Sequence, residues 1–365
     1  MGNRVVFGGL VMILAACGGQ IDGDAASSDS VPLPERERAP GLYFAPTGGP
    51  EHIADGLGAP TAIAMTDERV VFTTRTVTIG GERVAAGALY VADKHVGPAL
   101  VLAVDRQGAS FDALATDGTT AFVATGDARV LGIPVAGGAA KTIATLASAA
   151  VALVSSGDYV YFATKAGALG RVAKKGGELE PLATITGAIR GLQADDAAVY
   201  VATGAAEETP AGIVRVPIDG SALTVLTSGA EPCAMIRDAR RLFWTSVTPQ
   251  GAGSTQKPMK GEVLRLSLDG GEVKTVASGA FAACAIAADT ESLYFATTIP
   301  DALGVRSGGT SSSAASLGLM RAPIAGGEPV AIAQASHALA QPGAIAVDGS
   351  HVYWLTETAV LRTRK

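Results

Sequence analysis

The chain has 365 residues, 48% hydrophobic and only 17% charged, a composition that builds a large core and excludes disorder over most of its length. A net charge of -6 with a pI near 5.3 leaves no basic stripe to neutralise phosphates, so nucleic acid is excluded as an expected partner. Apolar residues come in short runs broken by Gly, Asp, Ser and Thr, and none reaches the roughly 18 residues that a membrane-spanning helix needs.

The N-terminus has a charged start at Arg4, an apolar stretch from Val5 to Ala16, and small residues up to Cys17, the layout of a secretory signal peptide. Leu14, Ala15, Ala16 and Cys17 resemble the bacterial lipobox, which implies lipidation of the Cys17 thiol and stable attachment to a membrane. Residues 1–16 are thus expected to be a lipoprotein signal peptide, and 17–40 the lipidated cysteine with a Gly-, Ser-, Asp- and Pro-rich tether. As a flexible coil that tether would span about 25 Å. Gly18, in place of Asp after the lipidated cysteine, is compatible with the outer membrane of a bacterial cell envelope under the sorting rule of enteric bacteria.

From residue 41 to 365 one phrase recurs, which argues a repeat architecture. It reads AIAMTDERVVFTT from Ala62, ALATDGTTAFVAT from Ala113, ALVSSGDYVYFAT from Ala152 and GLQADDAAVYVAT from Gly191. It returns as AMIRDARRLFWTS from Ala234, AIAADTESLYFAT from Ala285 and AIAVDGSHVYWLT from Ala344. The second position is always a large aliphatic residue (Ile63, Leu114, Leu153, Leu192, Met235, Ile286, Ile345), expected in the core. The tenth is Val71 and then always aromatic, within β-branched surroundings that favour a strand. The fifth is Asp at 117, 195, 238, 289 and 348, where a tight turn must join two strands and a carboxylate can accept backbone N–H bonds.

A second hairpin follows each phrase, as in VLGIPVAGGAAKTIAT from Val130 and VLRLSLDGGEVKTVAS from Val263, with Gly-Gly or Asp-Gly turns. Four strands per unit at these spacings predict an all-β fold, a seven-bladed β-propeller of four-stranded antiparallel blades. The last unit runs out of chain after a third strand in TAVLRTRK, and EHIADG from Glu51 resembles EPVAIA from Glu328. The N-terminal strand is therefore expected to close the last blade and remove the open edges.

AIAVDGSHVYWLT resembles the YWTD repeats of low-density lipoprotein receptor propellers and, more broadly, repeats of bacterial lipoprotein propellers, over residues 51 to 365. The Asp that follows the hydroxyl residue in that family is absent here, and seven copies stand where YWTD propellers have six. The resemblance supports the fold and says little about a ligand.

The thirteenth position is a hydroxyl in all seven copies (Thr74, Thr125, Thr164, Thr203, Ser246, Thr297, Thr356), and a sevenfold feature is expected to serve the fold through a strand-end hydrogen bond. Loops to the third strand are long in units 1, 4, 5 and 6 and leave on one face, which marks that face for a protein or small-molecule ligand. Cys233 and Cys284 share one repeat position on neighbouring innermost strands, and in an oxidising exterior they are expected to be bridged, the alternative being two buried free thiols.

No metal-ligand spacing links the four histidines, GxSxG is absent, and neither cofactor nor metal is expected. Arg190, Glu231 and Gln341 are the candidate binding residues, at the mouth where the innermost strands begin. The expected function is a lipid-anchored, non-catalytic binding or scaffold module. The alternative is a propeller enzyme of the lyase or lactonase type, with its site at the channel mouth.

Overall fold

In the computed structural model, residues 50–79, 81–94, 98–207, 209–249, 259–279, 282–299, 316–335 and 344–365 are described. Cys17, the signal peptide, the tether and Gln341 lie outside them. Among the described residues every regular element is a strand.

Seven sheets form a ring. The chain begins with β1 (Glu51–Ala54), then lays down blade 1 as β2 (Gly58–Met65), β3 (Arg69–Ile79), β4 (Glu82–Val84), β5 (Ala88–Asp93) and β6 (Leu100–Val104). Here β4 is an extra strand on the extended end of β3, so the long loop of this blade is a hairpin arm. Blade 2 is β7 (Phe111–Thr116), β8 (Thr120–Thr125), β9 (Arg129–Pro134) and β10 (Lys141–Thr145). Blade 3 is β11 (Ala150–Ser156), β12 (Tyr159–Thr164), β13 (Ala168–Ala173) and β14 (Glu180–Thr184). Blade 4 is β15 (Ile189–Ala194), β16 (Ala198–Thr203), β17 (Gly212–Pro217) and β18 (Thr224–Ser228). Blade 5 is β19 (Pro232–Arg237), β20 (Arg241–Pro249), β21 (Met259–Ser267) and β22 (Lys274–Gly279). Blade 6 is β23 (Ala282–Ala288), β24 (Ser292–Ile299), β25 (Ser316–Pro323) and β26 (Val330–Ala335). Blade 7 takes β27 (Ile345–Val347), β28 (His351–Leu355) and β29 (Val360–Arg364) from the C-terminus and β1 from the N-terminus.

The repeat phrase is the inner hairpin of each blade. All seven aliphatic markers are at most 1% exposed, because alternation along a strand sends every second side chain into the packing between blades. The Asp turns work as their chemistry demands. Asp117, Asp195, Asp238, Asp289 and Asp348 each accept, on Oδ1, the backbone N–H groups two and three residues on, at 2.7–3.0 Å. The outer turns use paired glycines: Gly137–Gly138, Gly176–Gly177, Gly270–Gly271 and Gly326–Gly327 all have positive φ, open to residues without a Cβ.

The repeated hydroxyl serves the fold. Thr74, Thr125, Thr164 and Thr203 are almost fully buried. Thr125 Oγ1 bridges the carbonyl and N–H of Arg129, and Thr356 Oγ1 bridges those of Ala359. Each of these two ties the end of the second strand to the start of the third.

Closure of the ring is a cross-strand match. β1 pairs antiparallel with β29, placing Glu51 opposite Arg362 as Glu180 stands opposite Arg171 in blade 3. Arg362 is 8% exposed, holds Glu51 Oε2 at 2.6 Å and donates to the carbonyl of Lys94 in blade 1. Ile53 and Ala54 are buried, and the Leu57 N–H reaches the Thr358 carbonyl at 2.8 Å.

The turn carboxylates make stability depend on pH. Burial alone would raise Asp117, Asp289 and Asp348, but backbone N–H groups and neighbouring lysines outweigh it and hold all three below the usual carboxylate range. Their contribution is complete above the ordinary carboxylate pKa, about 4, and disappears as pH falls through the lower folded values. The melting temperature is therefore expected to be level above about pH 5 and to drop between about pH 4 and pH 2. Equal melting temperatures at pH 6 and pH 3 would show that these carboxylates stabilise nothing.

Candidate functional site

Two ends of the ring differ in chemistry. The end where innermost strands begin is knitted by a bulge that recurs in six blades among the described residues, displacing Thr61, Asp112, Val151, Arg190, Cys233 and Cys284 from the ladder. A bulge residue is unpaired and its side chain is re-aimed. Here several reach along the ring. Thr61 Oγ1 donates to the Phe111 carbonyl of blade 2 at 2.9 Å, and Asp112 lies 3.8 Å from Arg75 of blade 1. Arg190 Nη2 meets Glu231 Oε1 of blade 5 at 3.0 Å, and Cys233 and Cys284 form a disulfide between blades 5 and 6 with Cα atoms 4.9 Å apart.

Arg190 and Glu231 are thus brought together as an ion pair, partly exposed, with Gly204 close beside them. Asp112 is a second carboxylate at this mouth besides Glu231, in the repeat position that Arg190 occupies two blades on. The long loops leave on this side. A small pocket of about 150 Å³, largely apolar, lies here between blades 3 and 4, against Ile185, Ile213 and Leu223.

The large cavity opens at the opposite end. It holds about 2060 Å³ and is lined by residues of all seven blades, drawn from the ends of the innermost strands and the Asp turns. Its rim repeats one interaction between blades. The residue that follows the third strand is a lysine in blades 1, 3 and 7, and each lysine reaches the turn Asp of the preceding blade. Lys94 lies 3.7 Å from Asp348, Lys174 3.2 Å from Asp117, and Lys365 2.6 Å from Asp289. Behind them the tenth-position tyrosines donate to the same carboxylates, Tyr294 to Asp289 and Tyr353 to Asp348, each at 3.0 Å. Burial, then the neighbouring carboxylate, pushes the Tyr294 hydroxyl up to about 12.

Inside the rim, the fourth position of the phrase faces the cavity in every blade. Six of these residues carry no charge: Met65, Thr116, Ser155, Ala194, Ala288 and Val347. The seventh is Arg237, half-buried, whose Nε donates to the Ala194 carbonyl at 2.8 Å and whose Nη1 donates to the Asp238 carbonyl at 3.2 Å. Arg240 stands exposed beside it on the blade 5 turn.

Among the described residues, no group of three His, Cys, Asp or Glu side chains is placed to hold a metal ion. His52 bonds Asp55 at 2.6 Å in the closing segment, and His351 bonds Ser350 at 2.8 Å at the start of β28.

No protein-family model and no curated protein matches the sequence. Solved structures do. The chain is similar to a structure described as YCF48 bound to D1 peptide, with TM-score 0.57 and 12% identity, covering 91% of this chain and 96% of that one. It is similar to a chain of the mitotic checkpoint complex, with TM-score 0.56 and 12% identity over 94% and 99%. It is also similar to the computationally designed protein Ika8, with TM-score 0.53 and 14% identity over 86% and 98%. At such identities the likeness speaks to architecture alone, and the architecture is that of a β-propeller.

Proposed function

We propose that this chain is a lipid-anchored β-propeller of the bacterial cell envelope, held in the outer membrane through Cys17, that binds a protein or peptide partner and turns over no substrate. The observation that carries the binding reading is the cavity of about 2060 Å³, walled by residues of all seven blades. Its rim lysines and the turn carboxylates they reach are committed to the framework. Turn carboxylates are occupied by backbone N–H groups and lysines, which leaves them poorly suited to act as general acids or bases. Two neighbours of the same architecture support the reading, since one is described with a bound peptide and the other as part of a protein complex.

The anchor rests on the lipobox-like residues Leu14 to Cys17. Cells fed radiolabelled palmitate are expected to label the wild type, whereas Cys17→Ala should lose the label and leave the membrane fraction. Labelled Cys17→Ala would remove the anchor from this reading. For the partner, a photo-crosslinking residue at Ala288, on the cavity wall, is expected to trap one protein in intact cells. The same probe at Leu179, an exposed residue 40% accessible on the outer part of blade 3, should not. Equal capture at both positions would count against the cavity as the docking site.

A further inference from the structure

The innermost strands present one side chain each just inside the cavity rim, and repetition makes that ring comparable from blade to blade. Six of the seven are apolar or carry only a hydroxyl, and the seventh is Arg237. A sevenfold position that departs from its pattern once, and does so with a charge, is not required by the fold. The other six blades build the same strand without it.

The electrostatics of Arg237 are also distinctive. Its partners are two carbonyls, from Ala194 and Asp238, and these orient the guanidinium without cancelling its charge. Arg241 next to it is neutralised by Asp238 at 2.6 Å, and the rim lysines by the turn carboxylates. Half-buried in a concave wall, a cation loses hydration and gains most from an anion that enters beside it. A guanidinium presents paired N–H donors that match a carboxylate.

The geometry points to Arg237 as the anchor for a carboxylate of an extended peptide seated in the cavity, supplied by its C-terminus or by an Asp or Glu side chain. The exposed Arg240 widens the positive sector, while the uncharged ring residues accept the remainder of the segment. This rests on the binding reading above and adds the chemical class of the partner.

The test uses detergent-solubilised full-length protein and an array of random hexapeptides in four matched sets. One has a free C-terminal carboxylate, one is C-terminally amidated and neutral, one is amidated with internal Asp or Glu, and one is amidated with Lys. Binding is expected to the first or third set, the stronger of the two naming the source of the carboxylate. Arg237→Gln should bind these about ten- to hundredfold more weakly, the value of one lost charge-assisted contact. Arg237→Glu should turn the preference toward the Lys set, which a role limited to packing would not do.

Melting temperatures near that of the wild type keep these variants interpretable. Should Arg237→Glu fail to fold, Arg237→Lys, which keeps the charge and loses the fork, is expected to retain binding to the acidic set at lower affinity. If the neutral amidated set binds as well as the others and Arg237→Gln changes nothing, the carboxylate anchor is wrong while the cavity remains a peptide site. If no set binds and the Ala288 probe traps nothing, both this inference and the binding reading fail.

Discussion

Deleting Glu51–Ala54 is expected to lower the melting temperature by more than about 15 °C, or to leave the protein insoluble, although only four residues are lost. Three losses coincide. Ile53 and Ala54 leave a core they share with Tyr353, Trp354 and Leu361, and emptying a site of isoleucine size costs about 2–5 kcal/mol. Arg362 stays half-enclosed with no carboxylate opposite it, a further penalty of about 1–3 kcal/mol once the partial exposure of Glu51 is allowed for. β29 becomes an open edge, a template for pairing with another chain.

Glu51→Ala isolates the second loss and should cost about 1–3 kcal/mol with the blade intact. The measurement is urea unfolding of each variant beside the wild type. A deletion variant as stable as the wild type would mean that blade 7 holds with three strands and that the ring does not depend on the N-terminal strand.

The second large effect is expected from the bridge between blades 5 and 6. Cys233 and Cys284 stand 51 positions apart in sequence, and cross-linking a loop of that length restricts the unfolded chain enough to stabilise by about 4 kcal/mol. The double variant Cys233→Ala/Cys284→Ala should therefore melt roughly 10 °C lower. Wild type treated with a thiol reductant should fall by a similar amount. Near-ultraviolet circular dichroism at 20 °C should remain close to native, because the two inner strands still pack against each other through Ala234, Ile236 and Ile286. A double variant that melts with the wild type would show that the loop is already restricted in the unfolded chain.

Much of the fold was legible because it is written in local chemistry that repeats. An aliphatic marker, an Asp turn and an aromatic position recur with the period of one blade, and each needs only its own neighbours to act. The shared repeat position of Cys233 and Cys284 was legible for the same reason. The candidate site was less so. Arg190 and Glu231, read as candidate binding residues, form an ion pair with each other, and the large cavity opens at the far end of the strands from them. Arg237 falls inside the repeat phrase of blade 5. Its signal was present, a single charge in a column of uncharged residues, and became meaningful once that column was known to face a cavity.

By itself the sequence determined the number of blades, the four strands that repeat in each, the residues of every Asp turn, and the pairing of the segment from Glu51 with the last strand, since period-two alternation and turn chemistry act over a few residues. Tertiary structure decided which end of the ring is open, how the bulges swing their side chains into the next blade, and which charges cancel. Lys365 and Asp289 stand 76 residues apart, and Lys94 and Asp348 in the first and last blades. Such pairs form because consecutive blades pack side by side around a closed circle, a relation of neighbours in space that no local pattern carries.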